Sequence, residues 1–359
     1  MISATNPIRV GIVGQGRSGF GIHGANMPRL PEKYRIVAVA DVIPQRVAES
    51  AAQLKAKACN SIEQLLAEKD VELVVVSSPN YLHVDHSLMA LNAGKHVLCE
   101  KPFGMKVADV DRMIAAAAKA GKVLQPFQQR RYEQDLKKVK EIMASGILGE
   151  IKFIRLGWHG FKRRWDWQTL TRFSGGDLNN NGPHLIDYAM ELYGEGPEPE
   201  VWCDLQRCLC SGDAEDHIKI IIRGPGKPTI EMELSSVVAY GQDNWLVCGT
   251  SGGLRGGTTK LEWKWVDWSK MPPRPVSDQP TPDRSYNSEQ LTWQSDRWDA
   301  SGPADGGAGA VPAMGPALAL YCDLYESIRN GKPQFITPQS VRRRVAVIEK
   351  CHQLCPTAR

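Results

Sequence analysis

The sequence predicts an α/β protein of two domains, a doubly wound parallel sheet followed by an α+β domain with a large, mostly antiparallel, open-faced sheet. Three observations predict this fold class. Short apolar runs alternate with helical patterns up to residue 127, longer alternating runs follow residue 200, and 359 residues suit two domains. We therefore expect one domain over residues 1–127 and a second over residues 128–359.

Five short apolar runs in the first domain are typical of buried strands. They are Ile8–Val13, Arg35–Ala40, Leu73–Ser77, His96–Cys99 and Val123–Pro126. Helical patterns lie between them at Pro44–Leu54, after the capping sequence Ser61–Gln64, at Leu82–Ala93 and at Val107–Ala120. Strands without a polar face indicate a parallel sheet that helices cover on both sides. Gly94 and Gly121 are expected to end the last two of these helices.

The pattern changes after Phe127. Alternating apolar and polar residues predict strands at Ile151–Trp158, Glu200–Cys210, His217–Arg223, Thr229–Val238 and Trp245–Cys248. Helices are predicted at Asp135–Ala144, Pro183–Tyr193, Met314–Asn330 and Pro338–Leu354. Residues 270–313 are rich in Pro, Gly, Asp and Ser, and we expect them to be mostly loop.

Composition argues against several classes of protein. The net charge of +4 does not require a nucleic-acid partner. No apolar run approaches the roughly 18–20 residues that span a bilayer, and no signal peptide is visible, so we expect a cytoplasmic protein without a membrane partner. The nine cysteines lack the paired spacing of a zinc site, and we expect no metal. For Trp263, Trp265 and Trp268, core packing, a carbohydrate-like ligand and an oligomer contact all stay open.

The loop after the first strand has the pattern of a dinucleotide-binding turn. It consists of Gly14, Gln15, Gly16, Arg17, Ser18 and Gly19. Its glycines allow a tight turn and a close approach to a pyrophosphate, and the following helix supplies N–H groups. Asp41 ends the second strand, where it would bind the adenosine ribose and repel a 2′-phosphate. The sequence therefore predicts a Rossmann domain that binds NAD, and Arg46 leaves NADP open.

Further motifs lie at the strand ends and in the second domain. They are Ser78-Pro79-Asn80 with His83, Cys99-Glu100-Lys101-Pro102, and Gly175-Gly176 with Gly182 and His184. Together with the dinucleotide loop and Asn330-Gly331-Lys332-Pro333, they resemble the glucose–fructose oxidoreductase / inositol dehydrogenase (Gfo/Idh/MocA) family over nearly the whole chain. The E-K-P motif is the most specific of these features.

The resemblance implies that Lys101 lies beside the nicotinamide and acts in proton transfer. Glu100 would help to orient it, and the Lys101–Pro102 peptide is expected to be cis. The residues implied near the cofactor are Ser78, Pro79, Asn80 and His83. Physically, a lysine at the carboxyl end of a parallel strand faces the ligand crevice, and partial burial beside a cationic ring lowers its pKa. Without the motif, a surface ion pair would be the better interpretation.

His184 matches the second catalytic residue of the family. The family usually places Asp four residues before it, whereas this chain has Asn180. An amide can position a hydroxyl and cannot take its proton, so we expect Lys101 and His184 to carry the acid/base work. Asn181 in the same segment is a further candidate for substrate contact. Asp177 or Asp187 could take the place of the missing carboxylate, and Asp187 could instead orient His184.

Two more segments supply candidate substrate contacts. Arg130-Arg131-Tyr132 follows the last strand of the first domain, and Arg131 is the candidate there. Residues 162–168 mix charged and aromatic side chains, and Trp165 and Trp167 could stack on a sugar. A solvated loop with one packed tryptophan is equally consistent with the second segment.

The resemblance favours reversible hydride transfer between NAD(P) and a secondary alcohol of a sugar, inositol or glycoside. Two alternatives stay open. One is a redox-neutral enzyme whose tightly bound NAD oxidises the substrate transiently and so permits elimination or epimerisation. The other is a non-catalytic NAD-sensing regulator, against which the presence of both Lys101 and His184 argues. By resemblance, the C-terminal sheet is expected to join copies into a homodimer or homotetramer.

Overall fold

The computed structural model describes residues 6–300 and 314–356. Its first sheet contains six parallel strands: β1 (Ile8–Val13), β2 (Tyr34–Ala40), β3 (Lys57–Cys59), β4 (Leu73–Val76), β5 (His96–Cys99) and β6 (Leu124–Pro126). Their spatial order is β3-β2-β1-β4-β5-β6, the order of a doubly wound dinucleotide-binding sheet. The strand order reverses between β1 and β4, and ligands of such sheets bind there, at the carboxyl ends of the strands.

Four helices pack on this sheet. They are α1 (Pro44–Leu54), α2 (Ile62–Ala67), α3 (His83–Asn92) and α4 (Val107–Ala120). The sequence predicts all four, and Ser61 caps α2 by accepting a hydrogen bond from the Gln64 N–H at 3.3 Å. Gly121 ends α4 with φ +62°. The sequence does not predict β3, because an edge strand of three residues is too short to show a periodic pattern.

The second sheet contains eight strands. They are β7 (Ile151–His159), β8 (Glu200–Gln206), β9 (His217–Arg223), β10 (Thr229–Ser235), β11 (Trp245–Gly249), β12 (Gly252–Gly256), β13 (Lys260–Val266) and β14 (Trp293–Asp299). Their order is β14-β13-β12-β11-β7-β10-β9-β8. Only β7 and β10 pair in parallel, so the predicted mostly antiparallel sheet is confirmed.

The sequence does not predict β12, β13 and β14. Glycine begins and ends β12, and a glycine-rich strand lacks the alternating side chains that reveal one. β14 lies within residues 270–313, and the loop prediction is wrong for Trp293–Asp299, because pairing with β13 outweighs the local composition. Residues 301–313 of that segment lie outside the described residues.

One face of the second sheet is buried and the other is open. The buried face carries alternating apolar residues, among them Ile230, Met232 and Leu234 of β10. On the opposite face, Lys219 forms ion pairs with both Glu231 and Glu233. The Trp-rich segment is divided between core and surface, since Trp263 packs into the core and Trp293 is 46% exposed. The open-faced sheet that the sequence predicts is therefore present.

The remaining helices pack into one of the two cores or, for the last of them, into both. They are α5 (Gln134–Ala144), α6 (Asp177–Asn180), α7 (Gly182–Tyr193), α8 (Pro316–Asn330) and α9 (Pro338–Leu354). Tyr321 and Leu324 of α8 lie in the core of the first sheet. α9 contributes Val345 to that core and Ile348 to the core of the second sheet. Within residues 6–300 and 314–356, no helix is long and apolar enough to cross a membrane.

Candidate active site

The loop after β1 requires glycine at two positions. Gly14 has φ +88°, and a Cβ there would overlap the Ser77 carbonyl group beyond the end of β4. A Cβ on Gly19 would overlap the Gly14 carbonyl oxygen. The loop therefore forms a cradle of bare backbone beside the carboxyl ends of β1 and β4, which fits the pyrophosphate of a dinucleotide.

The helix predicted after Gly19 is present as a π-helix. It spans Gly19–Gly24, and the His23 N–H donates to the Ser18 carbonyl oxygen at 2.9 Å. Such wide turns are rare and occur frequently at functional sites. The side chain of His23 is fully buried, whereas Arg17, two residues before the helix, is exposed. The π-helix thus begins at the dinucleotide loop and sends one side chain into the interior.

Asp41 fixes the dinucleotide loop from the end of β2. Its Oδ2 accepts a hydrogen bond from the Gln15 N–H at 2.6 Å, and its Oδ1 accepts one from the Ile43 N–H at 2.9 Å. Arg46 Nη1 lies 4.0 Å from the position that a Cβ would take on Gly16. The predicted cofactor residues therefore converge on one loop, with a carboxylate and a guanidinium at its edge.

The turn Ser78–Asn80 is tied to its surroundings by side chains. His83 lies with Nε2 2.8 Å from the Ser78 carbonyl oxygen and Nδ1 2.8 Å from the Pro102 carbonyl oxygen. Burial lowers the pKa of His83, which is 2% exposed. Asn80 donates to the Ser174 carbonyl oxygen at 3.0 Å, across the two domains. The geometry makes His83 a link between the turn and Pro102, and its contact with the cofactor stays a prediction.

Lys101 lies directly after β5 and reaches the second domain. Its Nζ donates to the Asn180 carbonyl oxygen at 2.7 Å and to Asn180 Oδ1 at 2.9 Å. The Lys101–Pro102 peptide is cis, as expected. Burial lowers the pKa of Lys101 against the effect of Glu100, and three cations lower it further: Arg17, Arg130 and Arg164. Two residues predicted for the site from separate motifs are thus in direct contact.

A buried chain of polar groups that the sequence does not predict supports Lys101. The Lys101 N–H donates to Glu100 Oε2 at 3.1 Å, and Glu100 Oε1 lies 3.2 Å from His23 Nε2. His23 Nδ1 in turn lies 2.8 Å from the Tyr321 hydroxyl. Burial alone would raise the pKa of Glu100, but His23 and Lys101 hold it below its ordinary value. Glu100 is therefore ionised and anchors the backbone of Lys101 from inside the protein.

The segment before His184 takes its shape from Gly176. This glycine has φ +96°, and a Cβ there would overlap the Glu215 carboxylate. Glu215 Oε1 accepts a hydrogen bond from the Leu178 N–H at 2.9 Å and so holds the start of α6. Pro183 then occupies the first turn of α7, where its missing N–H costs nothing. His184 follows it at the N-terminal end of α7.

His184 is buried and incompletely paired. It is 5% exposed, and among the described residues its Nδ1 has no hydrogen-bond partner. Burial, together with the charges of Lys101 and Arg130, holds its pKa well below the ordinary value, so the ring is neutral. An unpaired buried nitrogen is a place where a ligand hydroxyl would restore a hydrogen bond. The Asn181 side-chain amide donates a hydrogen bond to Asp177 Oδ1 at 3.4 Å. Its contact with substrate stays a prediction.

Arg131 and Asp187 form a buried ion pair that the sequence does not predict. Arg131 is 4% exposed and donates to the Asp187 carboxylate from Nε and Nη2 at 2.6–3.0 Å. Arg344 of α9 donates to the same carboxylate at 2.9 Å. Because these contacts engage Asp187, it neither orients His184 nor replaces the missing carboxylate. Arg131 is likewise engaged in this buried ion pair, and its contact with substrate stays a prediction.

The charge of the neighbouring Arg130 acts on both Lys101 and His184. Its guanidinium carbon lies 4.8 Å from the centroid of the Trp158 ring. Its charge adds to burial in lowering the pKa of both Lys101 and His184. The sequence offers no signal that separates Arg130 from Arg131, since two adjacent arginines differ only in the direction that the backbone gives them.

The two predicted substrate tryptophans lie on the loop between β7 and α6. Trp167 is 39% exposed and packs edge-on against Phe173, with ring centroids 6.5 Å apart. Phe173 packs on Tyr81 of the first domain at 5.5 Å, so this aromatic cluster bridges the two domains. Trp165 is 78% exposed and has no ring contact among the described residues. Stacking of either tryptophan on a sugar stays a prediction.

Several known proteins are similar to this chain. Two family models match it, "Oxidoreductase family, NAD-binding Rossmann fold" over residues 8–128 and "GFO/IDH/MocA C-terminal domain" over residues 136–255. Uncharacterized oxidoreductase C115.03 of Schizosaccharomyces pombe is 31% identical over 227 residues, which are 62% of this chain and 61% of that protein, so less than two thirds of it is matched. The 2,7-anhydro-N-acetylneuraminate hydratase of Escherichia coli is 26% identical over 254 residues, 69% of this chain and 67% of the hydratase.

A solved structure shares the fold of the whole chain. The WlbA dehydrogenase from Bordetella pertussis, in complex with NADH and UDP-GlcNAcA, superposes with a TM-score of 0.75. The superposition covers 98% of this chain and 97% of the dehydrogenase at 18% identity. No group of three or more His, Cys, Asp or Glu side chains that could hold a metal ion occurs within the described ranges.

Proposed function

Since the chain belongs to the GFO/IDH/MocA family of NAD-binding oxidoreductases, we propose that it transfers hydride between NAD and a secondary alcohol of a sugar, inositol or glycoside. The observation that carries the proposal is the contact of Lys101 Nζ with Asn180, beside neutral His184. Oxidation of a CH–OH group requires a base for the hydroxyl proton, next to the place where the nicotinamide takes the hydride.

The residues at the strand ends fit the cofactor. When NAD is bound, it supplies the hydride acceptor. The loop Gly14–Gly19 would hold the pyrophosphate against bare backbone, and Asp41 would accept hydrogen bonds from the adenosine ribose. The carboxylate of Asp41 disfavours a 2′-phosphate, which supports NAD over NADP, and Arg46 is the residue that would moderate this preference.

Lys101 is the proposed proton acceptor. Burial lowers its pKa, so that its neutral amine becomes accessible and can take the proton of a substrate hydroxyl. Asn180 holds Nζ through its backbone and side-chain oxygens, and an amide cannot itself take the proton. His184 would offer its unpaired Nδ1 to the same substrate oxygen or its neighbour. In this proposal Asn180 positions Lys101, Lys101 takes the proton, and His184 binds the substrate oxygen.

A redox-neutral reaction is the second candidate. The observation that favours it is the similarity to a protein named as a hydratase. In that reaction the substrate would be oxidised and reduced again within one turnover, while Lys101 and His184 move protons during the intervening elimination. The two candidates share the site and differ in whether NADH accumulates.

The test combines a sugar panel with two lysine variants. We expect the purified protein to form NADH with at least one secondary alcohol of the panel, and Lys101→Ala to lower kcat by about 100-fold or more. Lys119→Ala, at an exposed position on α4, is the control and should be unaffected. Substrate consumed without net NADH, by protein that retains dinucleotide on purification, would select the redox-neutral reaction. Near-normal turnover by Lys101→Ala would overturn the assignment.

The open face of the second sheet supports a proposal on assembly. Trp202 of β8 is 54% exposed on a sheet whose other face is fully packed. A homodimer or homotetramer through this face would cover it. Light scattering during size-exclusion chromatography measures the mass directly, and a mass equal to one chain at micromolar concentration would contradict the proposal.

A further inference from the structure

Arg130 stacks on an aromatic ring that packs against the helix carrying His184. It lies in a single helical turn after β6, and its guanidinium carbon stacks 4.8 Å from the centroid of the Trp158 ring. Trp158 packs edge-on against Tyr188, with centroids 5.9 Å apart, and Tyr188 lies one turn after His184 on α7. A guanidinium stacked on a supported aromatic ring is restricted in orientation before any ligand arrives.

The charge of Arg130 is only loosely paired. Among the described residues, the Glu133 carboxylate lies 3.9 Å from Arg130 Nη1. The guanidinium also contacts the Tyr188 hydroxyl. Burial raises the pKa of Glu133 against the opposing effect of Arg130. The adjacent Arg131 shows the contrast, because it is fully engaged with Asp187 at 2.6–3.0 Å. Arg130 therefore retains most of its five N–H donors for a further acceptor.

The surroundings of Lys101 hold an excess of positive charge. The carboxylate next to it, Glu100, is directed to His23 and to the Lys101 backbone, and Asn180 is a neutral amide. The charge of Arg164 also lowers the pKa of Lys101, although its Nε and Nη2 are bound to Asp166 at 2.7–2.9 Å. A ligand with a negative charge would balance the cations that remain.

We propose, building on the proposed function, that the substrate is a sugar acid whose carboxylate binds Arg130 while its neighbouring secondary alcohol meets Lys101 and His184. The carboxylate serves only for binding and does not react. In the oxidation, the C–H hydride passes to NAD, the hydroxyl proton passes to Lys101, and a C=O bond forms, which gives a keto acid, NADH and one proton. A planar guanidinium and a carboxylate form two parallel hydrogen bonds, so the contact also fixes which carbon faces the nicotinamide.

The experiment compares sugar acids with their neutral partners. D-glucuronate, D-galacturonate and D-gluconate are measured against D-glucose, D-galactose and D-glucitol, by titration calorimetry on NADH-loaded protein, which cannot accept a further hydride, and separately by NADH formation with NAD. We expect at least one acid to bind about 100-fold more tightly than its neutral partner and to react with a correspondingly higher kcat/KM. Because binding is measured without turnover, the outcome does not depend on choosing the reactive carbon correctly.

Three variants assign the effect to Arg130. Arg130→Gln should lower the ratio of kcat/KM for the acid to kcat/KM for its neutral partner by about 100-fold, and any loss through a changed pKa of Lys101 falls on both substrates equally. Arg112→Gln removes the same charge from an exposed position on α4 and should leave this ratio unchanged. Arg130→Lys should recover only part of the affinity, because an ammonium cannot form the paired contact.

The outcomes separate this inference from the proposed function. NADH formed equally well from acids and neutral sugars would refute the sugar-acid inference and leave the oxidoreductase proposal in place. A loss in Arg130→Gln that is equal for both classes would refute the role of Arg130 as a carboxylate contact. Acids that bind tightly through Arg130 but are never consumed would support the ligand class and refute the proposed reaction.

Discussion

The Asn180→Asp substitution tests how the residue at position 180 affects the pKa of Lys101. Asn180 Oδ1 lies 2.9 Å from Lys101 Nζ, and aspartate keeps the shape of the side chain while it adds a full negative charge. The positive form of Lys101 gains from that charge and the neutral form does not. We therefore expect the pKa of Lys101 to rise and the enzyme to need a higher pH for activity.

The structure sets the size of this change. Two unit charges 2.9 Å apart attract by about 6 kcal/mol at an effective dielectric constant of about 20. This attraction corresponds to about four pKa units. Desolvation of the new carboxylate offsets part of it, and charges this close usually shift a pKa by about 1–3 units. Each unit lowers the fraction of neutral Lys101 tenfold at a pH below its pKa.

The assay is the pH dependence of kcat/KM, measured through NADH formation with the best substrate of the panel. We expect the alkaline rise of the profile to move up by about 1–3 pH units in Asn180→Asp. Asn92→Asp, at the exposed end of α3, adds the same charge away from the site and is the matched control. Thermal unfolding of all three proteins confirms that each remains folded at the pH values compared.

One result would refute the reasoning. If the profile of Asn180→Asp stayed within about 0.3 units of wild type while the protein remained folded, Lys101 would not be the group that titrates. A shift toward lower pH would mean that the new carboxylate itself acts as the base. In that case the proton chemistry would move from Lys101 to position 180.

Three further predictions concern the supporting residues. Arg131→Met leaves the buried Asp187 carboxylate with one partner fewer, and we expect the free energy of unfolding to fall by about 3–5 kcal/mol in a denaturant titration. Asp41→Ala removes the acceptor of the Gln15 N–H, so NAD should bind about tenfold more weakly and lose part of its advantage over NADP in calorimetry. Burial lowers the pKa of His96 from 6.5 to about 4, so the unfolded chain binds this proton first, and stability is lost as the pH falls through that interval. His96→Gln should therefore lose less melting temperature than wild type between about pH 7 and pH 5.

Each of these expectations has a contrary outcome. Unchanged stability in Arg131→Met would mean that Arg344 alone compensates Asp187. Unchanged affinity and selectivity in Asp41→Ala would remove Asp41 from the cofactor site. Equal acid sensitivity of wild type and His96→Gln would show that other groups govern the pH dependence.

Much of the first domain could be predicted because its determinants are local. A buried strand, two sterically required glycines and an acidic residue at the next strand end all lie within about 40 positions of the N-terminus. The strands β12–β14 could not be predicted, because glycine hides their alternation and their pairing supplies the order that composition does not. The π-helix differs from the predicted helix by one residue per turn, which a hydrophobic pattern over six residues does not reveal.

The site was predictable where a motif marks a residue and not where its neighbours decide its role. Lys101 and Asn180 come from motifs, and the structure brings them together. The sequence does not show that Arg131 rather than Arg130 pairs with Asp187, because that partner lies 56 positions away. The sequence does not mark His23 as a supporting residue, because its role depends on Glu100, 77 positions further along the chain. Such pairings exist only after the chain has folded.

The last helices also affect how the protein is made. Tyr321 and Leu324 of α8 and Val345 of α9 complete the apolar core beneath β1–β6. A ribosome that has synthesised the whole nucleotide-binding sheet has therefore not yet delivered the side chains that cover it. Until these helices emerge, the nascent sheet exposes apolar surface, which is the kind of surface that chaperones bind and that aggregates. The first domain to be translated is thus among the last to be finished, and a chain stalled before α8 would be a substrate for quality control.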